Sequence, residues 1–381
     1  MSIVEYLGLI IPLVCLPIIA NKVTVDSFAV ILLITTLLQF YNQLVDYSFS
    51  YHGARMNNEE FNAEYNGIQS ARLFVLVVFT CAILCFILLS SVFSNSIYAF
   101  FCIALAGFGF YFAKSWVYSY RKKVQVFALY TFTTKLIFLT LCIFFLNESN
   151  VEFFLVLNSL SIFIIYSLAG CYADAKVSFK LKAIEGISQL KSNYPLFITD
   201  FLPQLYITIP LIVFKGIWSS SVYASVNLAF RIYNAGSMVQ WTLLKTFLPE
   251  NKIFINENFQ RLIKISIAIS IFEFVCCAIL LYYLIPFFFG SNLIDAYYMV
   301  LLLSVSYLFA SVYICYGHAF HVLNRIENKL KNISFQNSLI ATICVWPVSY
   351  YYEAWGYIFV VVLARFFLAL RCYNSYRISF Q

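Results

Sequence analysis

Long apolar runs follow one another along this chain, and only short polar links separate them. A helix that crosses a bilayer needs about 20 apolar residues, so each long run predicts a membrane span. Charged residues make up 11% of the 381 residues and hydrophobic residues 62%, whereas a soluble domain carries about 25% charged residues. We therefore predict an all-α polytopic membrane protein. This composition excludes a soluble Rossmann, barrel or hydrolase domain and argues against binding of nucleic acid.

About twelve runs are long enough to be spans, and they form two sets of six. In each set the second link is longer and polar, and the fourth link is basic. Because six is even, both sets enter the membrane in the same orientation. We therefore predict two six-helix lobes, residues 1–185 and 186–381, related by a parallel pseudo-repeat. The predicted spans are residues 3–20, 25–45, 71–93, 96–119, 124–145, 151–172, 195–214, 221–243, 262–289, 293–317, 333–350 and 354–373.

Positive charge is distributed unevenly over the links. Among the cations in the links and at the span ends that flank them, Arg72 included, only Lys22 and Lys215 follow odd-numbered spans. The others flank the links after even-numbered spans or lie near the C-terminus. Short cytoplasmic loops carry the excess of Lys and Arg in membrane proteins. We therefore predict a multi-pass protein with both termini in the cytoplasm.

The cysteines and histidines do not have the spacing of a metal site. The 11 cysteines lie inside apolar runs or at their ends, so we interpret them as small apolar side chains. His318 and His321 lie one helical turn apart with no third ligand in reach, which favours an interfacial polar pair. We predict no metal and no cofactor.

Four cations fall inside the predicted spans and away from the span ends, where lipid cannot solvate them. A charged side chain near the centre of a span costs at least about 2.5 kcal/mol, so each needs water, a partner or a route to the interface. They could line a water-filled cavity that attracts an anion, or they could belong to structural ion pairs. The four are Lys114, Lys135, Arg231 and Arg365.

Further polar side chains recur at helical spacing near these cations. We interpret them as a polar stripe along a lumen, formed by Asn227 and Asn234 on the eighth span and Gln204 on the seventh. Asp200 and Glu273 are two acids inside spans of the second set. They are candidates for proton or cation coupling, or for charge balance with Arg231 or Arg365. On the fourth span a shared face is predicted for Gly107, Tyr111, Lys114 and Tyr118.

Several stretches resemble the polysaccharide branch of the multidrug/oligosaccharidyl-lipid/polysaccharide exporter superfamily. They are LGLIIPLVCLPIIANKV near the N-terminus, LVDYSFSYHGAR (44–55), YPLFITDFLPQLY (194–206), VYASVNLAFRIYNA (222–235) and the Leu248-Pro249 pair. The best match is to O-antigen flippases of the Wzx type. The chain departs from that family at three positions: Ser48 stands where Gly is usual, and Phe230 and Arg365 stand where acids are frequent.

The resemblance implies a flippase of the bacterial inner membrane and not an enzyme. Such a protein moves undecaprenyl-pyrophosphate-linked O-antigen or a related oligosaccharide from the cytoplasmic to the periplasmic leaflet. It would work by alternating access through a cationic central cavity, for which the four intramembrane cations are the candidates. The implied partners are the lipid-linked oligosaccharide and membrane lipids, with the polymerase and chain-length machinery of the same pathway as further candidates.

Two other functions are weighed against this one. An integral membrane glycan polymerase or ligase needs a sizeable periplasmic segment with catalytic groups, whereas the periplasmic links here are a few residues each. A multidrug or cation antiporter of the same superfamily would favour an acidic cavity. Nucleophilic triads and phosphate-binding glycine loops are absent from the sequence, which argues against ATP-driven transport by this chain.

Overall fold

The computed structural model describes residues 3–53, 56–89, 96–174, 180–247, 256–290, 293–320 and 327–378, and these residues form helices and short connections without strands. One helix, Tyr313–Ala319, is a π-helix, and Glu148–Asn150 is a short 3₁₀-helix. The α-helices are α1 (Ile3–Lys22), α2 (Val25–Asp46), α3 (Phe49–Gly53), α4 (Asn58–Leu89), α5 (Ser96–Ala113), α6 (Ser115–Tyr120), α7 (Val124–Phe144), α8 (Val151–Asp174), α9 (Ala183–Phe201), α10 (Gln204–Phe214), α11 (Ser220–Phe247), α12 (Asn256–Phe289), α13 (Asp295–Ser304), α14 (Ser306–Val312) and α15 (Glu327–Ile378).

These helices confirm the prediction of an all-α, multi-pass membrane protein. In the described residues, 8 helices are long and apolar enough to cross a membrane, or 9 when the bent pair of α9 and α10 is counted as one span. Every predicted run coincides with a helix or with consecutive helices, so about twelve spans fit this fold. The last two runs are the two arms of α15, residues 327–352 and 354–378.

Helix α15 is a hairpin of two antiparallel arms. Its chain reverses at Glu353, which has non-helical backbone angles of φ 50° and ψ −137°. Residues at similar distances before and after this reversal meet. The Asn337 side-chain amide donates to the Ala364 carbonyl at 3.0 Å, and Arg371 Nη1 donates to Gln336 Oε1 at 3.3 Å.

The packing divides the chain into two compact units, Ser2–Phe197 and Ile198–Gln381, which we call the N-terminal unit and the C-terminal unit. In the N-terminal unit α5 packs along α8, and α1 packs along α7. In the C-terminal unit α11 packs against α13, α12 against α14, and α15 against α10 and α14. The lobe boundary between residues 185 and 186 and the parallel pseudo-repeat stay predictions.

Three helix ends differ from the spans that hydropathy predicts. The fourth run breaks at Lys114, whose backbone is left-handed (φ 49°), so Tyr118 on α6 does not continue the face of α5 that was predicted to include it. The third run lies on a helix that begins earlier, because Asn57 and Glu60 exchange side-chain and backbone hydrogen bonds of 2.9 Å in a capping box. Helices α9 and α10 are bent by 64° at Pro203, which cannot donate a helical hydrogen bond.

Two neighbouring exposed lysines test the backbone of the turn after α6. Lys122 has a left-handed backbone (φ 55°), whereas Lys123 has φ −105°. A left-handed backbone costs most residues about 1–2 kcal/mol, whereas glycine adopts it without strain. We therefore expect Lys122→Gly to be more stable than Lys123→Gly by about 1 kcal/mol. The difference in the free energy of unfolding is measured on the two purified variants in the same detergent. Each variant loses one lysine charge. A Lys123→Gly variant of equal or greater stability would contradict it.

Candidate functional site

Arg365, on the second arm of α15, lies against the face of a tyrosine ring. Its guanidinium carbon is 4.1 Å from the centroid of the Tyr233 ring, and Tyr233 stacks on Tyr307 with a centroid distance of 4.7 Å. The Arg365 Nη1 atom is buried and has no hydrogen-bond partner among the described residues. A ring face attracts the positive charge but leaves the N–H donors of a guanidinium available. Arg365 therefore has a donor that no described protein group uses.

The space for the Tyr233–Tyr307 stack depends on a glycine in the next turn of α11. A Cβ atom added to Gly236 would clash with the Tyr307 hydroxyl group. That hydroxyl donates a hydrogen bond to the Tyr233 carbonyl at 3.2 Å. Tyr307 is therefore held against α11, where it positions the ring that Arg365 contacts.

Arg231 lies two residues before Tyr233 on α11 and is half-buried. Its Nε donates to Asn227 Oδ1 at 2.9 Å, and the Asn227 amide donates to the Tyr223 hydroxyl at 3.3 Å. Asn234, the other asparagine of the stripe predicted on this span, is exposed. The structure thus joins Asn227 to Arg231 and leaves Asn234 outside this chain of hydrogen bonds.

Glu273 on α12 faces a buried amide. The Gln240 side-chain nitrogen donates to Glu273 Oε2 at 2.7 Å and to Ser270 Oγ at 3.0 Å. Glu273 Oε1 and Gln240 Oε1 are both buried without a hydrogen-bond partner in the described part of the chain. Glu273 is therefore hydrogen-bonded to a neutral amide and not to an arginine.

A continuous set of contacts joins Glu273 to Arg365 inside the C-terminal unit. The Tyr307 carbonyl accepts hydrogen bonds from Gln240 at 3.4 Å and from Ser270 at 3.1 Å. The same Tyr307 stacks on Tyr233, which contacts Arg365. Ser311, which also hydrogen-bonds with Ser270, completes this polar cluster.

Asp200 and Gln204 do not share one continuous helix face. The bend at Pro203 places Asp200 near the end of α9 and Gln204 at the start of α10. Asp200 is half-buried. Gln204 Oε1 accepts a hydrogen bond from the Thr208 hydroxyl at 2.5 Å. A spacing of four residues would place the two side chains on one face only if the helix were unbroken, which it is not.

Lys114 and Lys135 lie in the N-terminal unit and donate to protein groups. Lys114 is 8% exposed, and its Nζ donates to the Tyr65 hydroxyl at 3.3 Å. Lys135 Nζ donates to the Gly8 carbonyl of α1 at 2.6 Å. Pro12 stands four residues after Gly8 and has no N–H, so the Gly8 carbonyl lacks its helical donor. Lys135 supplies the missing hydrogen bond.

Arg72 is a buried cation that the charge count places at the membrane interface. It is 1% exposed. Its Nε donates to the Val45 carbonyl at 3.3 Å and its Nη2 to the Phe110 carbonyl at 2.8 Å. These carbonyls lie in the last turns of α2 and α5, where no further helical N–H follows. A cation is also favoured at helix C-termini by the helix dipole.

Sequence reasoning missed Arg72, Gln240 and Ser311. Arg72 follows Ala71 at the start of an apolar run, and this position inside a predicted span was the signal that could have identified it as an intramembrane cation. Gln240 lies inside the eighth predicted span, so its intramembrane amide was visible in the sequence. Ser311 gave no signal beyond being a small polar residue in an apolar run.

The described residues contain no group of three or more His, Cys, Asp or Glu side chains that could hold a metal ion. His321, the side chain of His318 and the Leu248-Pro249 pair lie outside the described residues.

The fold matches solved structures of membrane transporters at low sequence identity. Compared with the lipid II flippase MurJ in an inward closed conformation, the TM-score is 0.76 at 15% identity, covering 98% of this chain and 86% of that chain. An inward-facing multidrug resistance MATE family transporter of the MOP superfamily gives 0.66 at 12% identity, covering 100% and 95%. A MOP superfamily transporter from Pyrococcus furiosus, described by the reverse polarity of its binding pocket, gives 0.57 at 13% identity, covering 100% and 94%. No family model and no curated protein matches the sequence. At these identities the likeness shows a shared fold.

The role assigned to Arg72 predicts a large loss of stability when it is replaced. Arg72→Met leaves two buried carbonyls without donors, so we expect the free energy of unfolding to fall by about 3 kcal/mol. Arg72→Lys should lose less stability than Arg72→Met but should still be less stable than the unmodified protein, because one ammonium group cannot match the two-armed contact of a guanidinium. Denaturant titration in mixed micelles measures both. Arg121→Met is the control, a half-exposed arginine of the same unit. Equal stability of the Arg72→Met and Arg121→Met variants would exclude the capping role.

The role of Lys135 can be separated from transport by a double-mutant cycle with Pro12. In a Pro12→Ala variant the restored backbone N–H of residue 12 pairs with the Gly8 carbonyl. Lys135→Met should therefore destabilise the unmodified protein more than it destabilises the Pro12→Ala variant. We expect a coupling energy of about 1 kcal/mol from unfolding measurements on the four proteins. An equal cost of Lys135→Met in both backgrounds would show that the lysine acts elsewhere.

Proposed function

We propose that this chain is a flippase that moves undecaprenyl-pyrophosphate-linked O-antigen, or a related oligosaccharide, across the bacterial inner membrane. Translocation would run from the cytoplasmic to the periplasmic leaflet by alternating access through a cationic central cavity, with both termini in the cytoplasm. The observation that carries the proposal is the guanidinium of Arg365, which lies on Tyr233 with a buried, unpartnered Nη1. The fold shared with a protein named as a lipid II flippase supports it.

The physical requirement is charge compensation inside the membrane. A pyrophosphate with an attached glycan cannot cross hydrocarbon unless its polar groups are satisfied, because each unpaired buried group costs several kcal/mol. Guanidinium groups bind phosphate oxygens through two parallel hydrogen bonds. We assign the pyrophosphate contact to Arg365 and Arg231. Lys114 and Lys135 have supporting roles in this proposal, because they donate to Tyr65 and to the Gly8 carbonyl.

Glu273 is the coupling group that we propose, with Asp200 as a further candidate for coupling or charge balance. A proton on Glu273 Oε1 would give that oxygen a hydrogen to donate to Gln240 Oε1, while the Gln240 nitrogen continues to donate to Oε2. Both oxygens that lack partners would then be satisfied by one proton. The stacked pair Tyr307 and Tyr233 connects this acid to Arg365.

The assignment predicts that Arg365→Ala strongly reduces glycan export while the protein stays in the membrane. A hydrogen bond to a charged group contributes about 1.5–3 kcal/mol, so removal should lower transport by about tenfold to 100-fold. Arg231→Ala should have a similar effect, and Arg365→Lys an intermediate one, because lysine cannot form the paired contact. Arg377→Ala is the control, since Arg377 is an exposed arginine in the last turn of the same helix.

The measurement is the leaflet in which the lipid-linked repeat unit accumulates in a deletion strain that carries each variant at equal membrane abundance. The flippase proposal requires accumulation in the cytoplasmic leaflet for the deletion and for Arg365→Ala. Unpolymerised units that reach the periplasmic side would instead indicate a polymerase. Normal export by the Arg365→Ala variant would remove Arg365 from the mechanism.

A further inference from the structure

A polar groove lies between the two arms of α15, at the end away from the reversal. It encloses about 590 Å³. Both arms contribute to it at positions that face each other across the hairpin. The polar residues that line it are Lys329, Asn332, Gln336, Arg371, Asn374 and Ser375.

The charge in this groove is positive. Lys329 and Arg371 come from opposite arms, and Arg371 Nη1 donates to Gln336 Oε1 at 3.3 Å, which orients its guanidinium toward the groove residues. The sequence of α15 has five cations and two acidic residues, Glu327 at its first position and Glu353 at the reversal. The described lining of the groove contains two cations and no acidic residue. The groove therefore fits an anion with several hydrogen-bond acceptors.

An apolar surface continues from the groove along both arms. Ile333 and Ile378 belong to its lining. On the first arm, Ile340 and Ile343 follow Gln336 at helical spacing and are 53% and 64% exposed. On the second arm, Phe367 lies one turn from Arg371 and is 49% exposed. A polar, cationic end that is continuous with exposed apolar side chains matches an amphiphile with an anionic head.

We propose that this groove binds the phosphate headgroup of an anionic phospholipid, with the acyl chains along Ile340, Ile343 and Phe367. In the orientation predicted from the distribution of Lys and Arg, this end of the hairpin is at the cytoplasmic leaflet. Basic pockets between membrane helices on that side recognise anionic headgroups. The proposal does not depend on the transported substrate, because it concerns a bound lipid of the surrounding bilayer.

The test is native mass spectrometry of the full-length protein in neutral detergent, titrated with phosphatidylglycerol or phosphatidylcholine. The unmodified protein should retain phosphatidylglycerol preferentially. A Lys329→Gln, Arg371→Gln double variant should bind it about 30-fold more weakly, because each cation near an anionic headgroup contributes about a fivefold factor. The control is a Lys331→Gln, Arg377→Gln double variant, which removes the same charge from the same arms outside the groove lining and should bind as the unmodified protein does.

Three outcomes would overturn the proposal. Equal losses in both double variants would indicate a general surface potential and not a site. Equal binding of phosphatidylglycerol and phosphatidylcholine by the unmodified protein would exclude headgroup recognition. Displacement of phosphatidylglycerol by an equal concentration of inorganic phosphate would assign the groove to a soluble anion. Lys329 and Arg377 are exposed and Lys331 and Arg371 are half-buried, so we expect both variants to fold, and the unfolding midpoint of each checks this.

Discussion

Polar groups inside a membrane protein must find their partners in the protein, because hydrocarbon offers none. In the N-terminal unit this constraint explains why cations lie within the spans. Arg72 donates to the carbonyls at the ends of α2 and α5, and Lys135 donates to the carbonyl that Pro12 deprives of its helical donor. In both cases an interrupted or ending helix leaves a carbonyl acceptor, and a nearby cation donates to it. The charge is retained because the interrupted backbone needs it.

Arg365 in the C-terminal unit contacts a ring face closely. It lies over Tyr233, which stabilises the charge but does not accept the N–H donors in the guanidinium plane. Arg231 donates from Nε to Asn227, a neutral amide. A buried Nη1 without a hydrogen-bond partner among the described residues occurs on both Arg72 and Arg365, so that atom alone does not distinguish them. The difference is that Arg72 also donates to two carbonyls at helix ends.

The membrane explains what the sequence could and could not predict. Span number and helix content follow from hydropathy, because each span needs about 20 apolar residues whatever its neighbours are. The break at Lys114 depends on one left-handed residue inside an apolar run, which an average over a window cannot register. Arg72 was placed at the interface because charge counting assumes that a cation near a span end points outward. Its true environment depends on where two other helices end, which is tertiary information.

Coupling between Glu273 and Arg365 requires an element whose contacts differ when the acid is charged and when it is protonated. Gln240 is placed to be that element, since its nitrogen donates to Glu273, to Ser270 and to the Tyr307 carbonyl with only two hydrogens. A charged Glu273 competes most strongly for those hydrogens. A protonated acid competes less, so the amide can donate more fully to Tyr307, whose ring supports Tyr233 beneath Arg365. In the proposed mechanism, protonation of Glu273 would therefore reach Arg365 through the Tyr307 and Tyr233 rings.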